Sequence, residues 1–221
     1  METKRITLFA GHYGSGKTNI AVNYAAMLAR QGKKTVLADL DIVNPYFRAK
    51  DSQEALAALG VEMISSPYAN SNVDLPALPQ EVYSILDNHD RYAVLDIGGD
   101  DRGALALGRY TPGILQENNY EMLLVVNCYR PLSHDAPDTL EIMEEIQQAG
   151  GLNFTAIVNN SNLGAETAAE DVLSSLPYVE EIARRSGLPV KMTTVDARLL
   201  PELEGKIPDL MGLTLQKRNF F

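Results

Sequence analysis

An eight-residue stretch near the start of the sequence limits the possible folds more than any other feature. Residues 11–18 read GHYGSGKT and match the pattern G-x-x-x-x-G-K-S/T. This pattern is informative only when it lies between a strand and a helix. Here an apolar strand is predicted over residues 6–10, and apolar positions at helical spacing predict a helix over residues 16–31. The sequence therefore predicts a phosphate-binding loop between them.

The residue types in this loop suit a bound polyphosphate. Glycines let backbone amides approach phosphate oxygens closely, and the helix N-terminus adds N–H donors and partial positive charge. Lys17 is expected to reach the β- and γ-phosphates, and the Thr18 hydroxyl is expected to bind Mg²⁺. The expected nucleotide-binding residues of the loop are Gly11, His12, Tyr13, Gly14, Ser15, Gly16, Lys17, Thr18 and Asn19.

The rest of the chain alternates strand-like and helix-like segments with short breaks. Further strands are predicted at residues 35–40, 61–64, 92–97, 122–126, 154–158 and 190–193, and helices at 51–59, 81–86, 138–149 and 177–186. This alternation is typical of a mostly parallel sheet with helices on both faces. We therefore expect a three-layer α/β P-loop NTPase fold of about six to eight strands. Residues 1–221 are expected to form a single nucleotide-binding domain.

Carboxylates follow two of the predicted strands, at the edge of the sheet where α/β proteins bind ligands. Asp39 and Asp41 lie at the end of strand 35–40, and Asp96 lies at the end of strand 92–97. Asp96 and Gly99 form a D-x-x-G sequence, whose glycine amide is expected to sense the γ-phosphate. Together with Thr18, the three aspartates are the expected Mg²⁺ site.

Composition excludes several classes of partner. The chain has 19 Lys+Arg against 29 Asp+Glu, a net charge of −10, and no run of three basic residues. Nucleic acids and anionic membranes are therefore not expected as partners. The single cysteine, Cys128, excludes an internal disulfide and a multi-cysteine iron–sulfur site within one subunit. No apolar run is long enough for a membrane span, so a cytoplasmic location is expected.

These elements resemble the MinD/ParA branch of P-loop ATPases, in the SIMIBI class, over residues 5–200. The resemblance rests on the P-loop, on D-x-x-G, and on aspartates 22 and 24 residues after Lys17. It implies that Asp41 orients the attacking water and that Lys17 and Asp41 are the catalytic residues. It also implies that Asn160 contacts adenine, and that backbone at Val195 and Asp196 packs on the base.

The sequence departs from this family at His12, which stands where the family has a signature lysine. That lysine reaches across a dimer to the partner's nucleotide. A neutral imidazole does not supply a full charge at neutral pH. We nevertheless expect His12 to face the γ-phosphate and ATP to promote a homodimer. Cys128 lacks a CxxC partner and is predicted to be a core residue on a strand, so no iron–sulfur cluster is expected. The tail at residues 213–221 is predicted to be a packed or frayed terminus.

The predicted function is a Mg²⁺-dependent ATPase that acts as a nucleotide-driven switch for an unidentified protein partner. One alternative is a small-molecule kinase or ligase resembling dethiobiotin synthetase or the cobyrinic-acid amidating enzymes, with its substrate in a loop at residues 65–80. Another is a metal-chaperone-type GTPase, although residues 159–162 lack the Lys and Asp of the usual guanine motif. A nucleotide-binding adaptor without turnover is the remaining alternative.

Overall fold

The structure is a computed structural model that describes residues 3–41, 52–65, 82–99 and 104–214, apart from residue 106. The loop predicted at residues 65–80 lies outside the described residues, except that Ser65 ends a strand. Most of the predicted tail also lies outside them. Among the described helices, none combines the length and the apolar character needed to span a bilayer.

Eight strands form one sheet in which every pairing is parallel, in the order β3-β2-β4-β1-β5-β6-β7-β8. The strands are β1 (Ile6–Ala10), β2 (Thr35–Leu40), β3 (Glu62–Ser65), β4 (Tyr92–Ile97), β5 (Tyr120–Val126), β6 (Ala156–Asn159), β7 (Val190–Asp196) and β8 (Leu210–Leu213). Because all strands point the same way, their carboxyl ends meet along one edge of the sheet. The predicted site residues follow these ends.

Helices connect the strands and cover the sheet. They are α1 (Lys17–Arg30), α2 (Gln53–Ala58), α3 (Tyr83–Asp87), α4 (Thr111–Glu117), α5 (Ala136–Gly150), α6 (Ala169–Ser174), α7 (Leu176–Ser186) and α8 (Leu200–Leu203). The longest, α5, begins after Asp135, whose side chain accepts a hydrogen bond from the Asp138 N–H. It ends at Gly151, which has a φ of 68°.

The alternation of side chains along each strand produces a core on both faces of the sheet. In β1, Leu8 packs into one large apolar cluster and Phe9 into another, and both are fully buried. The Phe9 cluster contains the inward face of α1, including Ile20 and Leu28. The Leu8 cluster contains Ile146 of α5. Helices therefore cover both faces of the sheet. A ligand site is left to the edge formed by the carboxyl ends of the strands.

The structure confirms the predicted fold class and the parallel sheet. Four elements were missed in the sequence, namely α4, α6, α8 and β8. The prediction that Cys128 lies on a strand is wrong. Cys128 lies in a turn after β5, is half-buried, and donates its backbone N–H to the Ser161 hydroxyl at 3.1 Å. The predicted strand itself ends correctly at residue 126, and Asn127 already turns the chain away from the sheet before Cys128.

Candidate nucleotide-binding site

The predicted phosphate-binding loop lies between β1 and α1. Gly14 and Gly16 have φ angles of 77° and 94°, a region that side chains strongly disfavour. A Cβ atom on Gly16 would lie 2.2 Å from Asn160 Nδ2, and one on Gly11 would lie 2.4 Å from the Val125 carbonyl oxygen. The glycines are therefore required both by backbone conformation and by the close approach of β5 and β6.

Lys17 is held inside this loop at the start of α1. Its side chain is 5% exposed, and its Nζ donates a hydrogen bond to the His12 carbonyl oxygen at 3.1 Å. The Ser15 N–H donates to the same carbonyl at 3.1 Å. The loop thus curls around the ammonium group, and the α1 N-terminus provides unpaired N–H groups beside it. This arrangement suits an anion that bridges Lys17 and the helix N-terminus.

Asp39 and Asp96 lie side by side at the carboxyl ends of two neighbouring strands. They are direct register partners on β2 and β4. Asp39 is 8% exposed, and Asp96 is fully buried. The Asp39 carboxylate accepts the backbone N–H of Asp41 at 3.1 Å, which fixes the turn that carries Asp41 to the site. Two of the predicted metal ligands therefore meet directly beneath the phosphate-binding loop.

Asp96 is a buried carboxyl group without adequate compensation. Burial raises its pKa to about 8, and repulsion by Asp39 contributes to the rise. Lys17 opposes the shift, and the Thr18 hydroxyl lies close enough to lower the pKa as well. Nevertheless, neither carboxylate oxygen of Asp96 has a partner with good hydrogen-bond geometry. A divalent cation is the group that such an oxygen pair beside a threonine hydroxyl fits best.

Gly99 brings the end of β4 against the phosphate-binding loop. A Cβ atom at Gly99 would lie 2.7 Å from the Tyr13 backbone nitrogen and 2.8 Å from Lys17 Nζ. Only a residue without a side chain allows this contact. The backbone at Gly99 is therefore close enough to respond to whatever Lys17 binds, whereas residues 100–103 lie outside the described part of the chain.

Asn160, predicted to contact adenine, makes two hydrogen bonds within the protein. Its Nδ2 donates to the Ser15 carbonyl oxygen at 2.6 Å, and its Oδ1 accepts from the Thr194 hydroxyl at 2.7 Å. The side chain is 4% exposed and ties the phosphate-binding loop to β7. Its neighbour Asn159 is fully buried and bonds to Ser175 at 2.9 Å, away from the loop.

An open cleft of about 690 Å³ extends from the phosphate-binding loop across the ends of β6, β7 and β8. The cleft is lined by Tyr13, Gly14, Ser15, Gly16, Lys17, Thr18, Asn19, Asp41, Tyr129, Arg130, Asn160, Asn162, Leu163, Gly164, Ala165, Glu166, Thr167, Thr194, Val195, Asp196 and Leu213. This is enough room for a nucleotide. The far end is fixed by Arg198, which contacts Asp196 and donates to the carbonyls of Ala165 and Thr167.

Some predicted residues lie behind the cleft rather than on its wall. Gly11 belongs to the loop itself, Gly99, Asp39 and Asp96 lie behind it, and none of the four lines the open space. His12 does not line it either. Its Nδ1 lies 2.8 Å from the Tyr13 carbonyl oxygen, so its ring folds back on the loop. That His12 faces the γ-phosphate stays a prediction.

Sequence reasoning missed Arg130. It lies three residues beyond Asn127, the residue at which β5 gives way to a turn, and lines the cleft beside Gly14. No periodicity or motif marked it, because its position depends on β5 lying next to β1 in the sheet. The available signal was a cation four residues after an apolar strand whose carboxyl end lies at the edge of the sheet that carries the site.

The parallel sheet, the glycine-rich loop and the buried lysine together define a P-loop nucleotide-binding fold. The chain belongs to the CobQ/CobB/MinD/ParA nucleotide-binding domain family, whose model matches residues 6–189. The resemblance inferred from the motifs is thereby confirmed. Among curated proteins, none matches the sequence significantly.

Several solved structures share the fold. FtsY from Thermotoga maritima is 20% identical with a TM-score of 0.57, and the match covers 88% of this chain and 62% of that one. FtsY from Mycoplasma mycoides is 19% identical with a TM-score of 0.59, covering 88% and 60%. The signal recognition particle 54 kDa protein from Aeropyrum pernix, in complex with GDP, is 18% identical with a TM-score of 0.52, covering 87% and 41%. This chain thus spans less than two thirds of each, and the likeness establishes the fold.

Proposed function

We propose that this protein is a cytoplasmic Mg²⁺-dependent ATPase that works as a nucleotide-driven switch. The observation that carries the proposal is the position of Asp96. A fully buried carboxyl group lacks a hydrogen-bond partner of good geometry, yet it lies beside Asp39, Thr18 and the phosphate-binding Lys17. An arrangement this costly is expected where a cation and a polyphosphate bind together.

Thr18, Asp39, Asp41 and Asp96 are the residues that would hold Mg²⁺ and its water shell. The cation would neutralise charge on the phosphates and orient them for attack. The chain itself supplies the oxygen donors and keeps Asp39 and Asp96 at fixed register positions on β2 and β4. Because the cation favours ionised carboxylates, its binding would release the proton that burial retains on Asp96.

Lys17 and Asp41 are the proposed catalytic residues. Lys17 would stabilise charge on the transferring phosphoryl group, and Asp41, which lines the cleft, would orient the attacking water. Gly99 would report the presence of the γ-phosphate, since even a Cβ at this position would clash with Lys17 and Tyr13. Hydrolysis would then change the contacts made at Asp41 and Gly99, and an unidentified protein partner would detect the change.

The base would occupy the end of the cleft formed by Asn160, Val195 and Asp196. Adenine is proposed because residues 159–162 carry neither the lysine nor the aspartate of the usual guanine motif. Both amide atoms of Asn160 already have partners, so its role toward the base would use the remaining Nδ2 hydrogen or Oδ1 lone pair. Competition between ATP and GTP for the wild-type protein decides this point, and tighter GTP binding would replace adenine with guanine in the proposal.

The central test is calorimetric binding of a non-hydrolysable ATP analogue with Mg²⁺, together with phosphate release. Lys17→Ala is expected to lose measurable binding and turnover, whereas the exposed Lys206→Ala changes neither. If Lys17→Ala still hydrolysed ATP, the proposed ATPase function of this site would be wrong. Phosphate release by the wild type without any added acceptor separates the ATPase from a small-molecule kinase or ligase.

The proposal includes an ATP-dependent homodimer. Light scattering with ADP and then with the ATP analogue and Mg²⁺ measures the mass in each state. A dimer that forms only with the analogue supports the switch. The same mass with either nucleotide would favour the small-molecule kinase or an adaptor without turnover. His12→Ala tests whether this residue takes part, since an unchanged rate and dimer mass would exclude it.

A further inference from the structure

We propose that Arg130 is a second cationic ligand for the phosphate chain, supplied by the same chain that carries Lys17. This inference rests on the proposed function, because it requires that the cleft bind a nucleoside di- or triphosphate. It assigns a role to a residue that the phosphate-binding motif does not contain. The argument depends on how Arg130 is held, what it touches and what it does not touch.

The backbone of Arg130 is fixed by a compact turn after β5. Its N–H donates to the Asn127 carbonyl oxygen at 3.2 Å, and its own carbonyl accepts the Ser133 N–H at 3.1 Å. The Ser133 hydroxyl also donates to the Asn127 carbonyl at 3.2 Å. Both Asn127 and Ser133 are almost fully buried. The side chain of Arg130 therefore starts from a well-anchored position rather than from a loose loop.

The side chain of Arg130 extends over the phosphate-binding loop. Its Nε lies 3.6 Å from the position that a Cβ on Gly14 would take, and its Cδ and Cζ lie 3.8 Å from it. The guanidinium group thus lies beside Gly14, at van der Waals distance from the space that a side chain on this left-handed glycine would occupy. Arg130 and Gly14 line the same cleft as Lys17.

The charged residues that line the cleft include few cations that could bind phosphate. Among the described lining residues, only Lys17 and Arg130 are cationic, against the carboxylates of Asp41, Glu166 and Asp196. Arg130 is exposed, and within the described part of the chain its guanidinium makes no ion pair. A guanidinium group with free donors beside a phosphate-binding loop is well suited to charge-assisted hydrogen bonds with phosphate oxygens.

The position also bears on the departure at His12, where an imidazole stands in place of the family's signature lysine. Arg130 approaches the loop from β5, two residues further along the loop, at Gly14. A charge from this direction comes from the chain's own fold and does not need a second subunit. The phosphate site would then carry two cations within one protomer.

The test measures the affinity of Arg130→Ala, Arg130→Gln and Arg130→Lys for ADP and for a non-hydrolysable ATP analogue with Mg²⁺, by calorimetry. We expect Ala and Gln to weaken both at least tenfold, and Lys to restore part of the loss. The matched control is Arg30→Ala, because Arg30 is exposed in the last turn of α1, about 20 Å along the helix from Lys17. The control is expected to bind like the wild type.

Thermal unfolding without nucleotide separates binding from packing. If Arg130 only packs on Gly14, Arg130→Ala lowers the melting temperature but binds nucleotide like the wild type, and the inference is overturned. Equal losses in Arg130→Ala and Arg30→Ala overturn it as well, because they indicate a general charge effect. Failure of the wild type to bind any nucleotide removes the proposed function instead. If the Ala variant does not fold, Gln and Lys give the same comparison at nearly unchanged volume.

Discussion

A buried carboxylate near the amino ends of the strands and one at the carboxyl ends differ in whether they have partners. Near the amino ends of the strands, Glu121 is 7% exposed and is paired with Lys191, and it also accepts a hydrogen bond from the Thr7 hydroxyl at 3.0 Å. At the carboxyl ends, Asp96 is fully buried without a hydrogen-bond partner of good geometry. Buried charges are normally paired. The difference supports the proposal that Asp96 binds a ligand, whereas the pairing of Glu121 serves the fold.

Glu121→Ala should give the largest effect on stability. The substitution leaves the nearly buried Lys191 ammonium without its carboxylate, and breaking such a pair typically costs about 3–5 kcal/mol. Urea unfolding measures the loss, and the exposed Glu141→Ala is the control. The double variant Glu121→Ala/Lys191→Ala should be less destabilised than the two single losses added together. Simple additivity would mean that the pair is not a stabilising unit.

Asp96→Asn should raise the unfolding free energy, in contrast to Glu121→Ala, which should lower it. At pH 8 the substitution removes a carboxyl group that burial penalises, so the nucleotide-free protein should gain at least about 1 kcal/mol in unfolding free energy. The same variant should lose Mg²⁺-dependent nucleotide binding. Asp90→Asn, at an exposed position, is the control for urea unfolding. A destabilised Asp96→Asn would place Asp96 with Glu121 as a structural residue.

The pH dependence of stability sharpens the same contrast. The pKa of Asp96 is raised from 3.8 to about 8, so the folded state retains a proton that the unfolded state has lost. The Asp96 contribution should therefore make the nucleotide-free wild type less stable as pH rises from about 4 to about 8. Melting temperatures across this range measure the slope, with Asp96→Asn as the reference. Mg²⁺ and nucleotide should flatten the slope, and identical slopes in both proteins would contradict the assignment.

The smallest effect on stability is expected at an exposed carboxylate, even though it forms close ion pairs. Glu181 on α7 pairs with Arg184 at 2.8 Å and with Arg185 at 2.5 Å, and these partners lower its pKa to about 2. Solvent screens such pairs, so Glu181→Gln should leave the melting temperature almost unchanged. A clear drop in melting temperature in 0.15 M salt would show that this surface pair contributes more to stability than solvent screening allows.

The sequence was sufficient for the fold and for the centre of the site. The phosphate-binding loop, the strand ends at Asp39 and Asp96, and the close approach of Gly99 all follow from local patterns. These patterns succeed because each combines a buried strand with a polar residue at its end. The structure brings all of them to one edge of the sheet.

The remaining features depend on contacts between distant segments. Asn160 meets Ser15 across 145 positions in the sequence, and this contact is invisible in the pattern around either residue. Arg130 reaches Gly14 only because β5 pairs with β1. The strand β8 has four residues with a glycine among them, too few to produce a periodic signal.

The strand order also determines when the site can form during synthesis. β1 is made first, but its partners in the sheet are β4 and β5, whose residues begin at Tyr92 and Tyr120. A nascent chain that has exposed only β1, α1 and β2 holds the phosphate-binding sequence without the strands that support it. Parallel pairing across such separations is slow to nucleate. Nucleotide would therefore bind only late in translation, and it could then act as a folding ligand for the newly completed sheet.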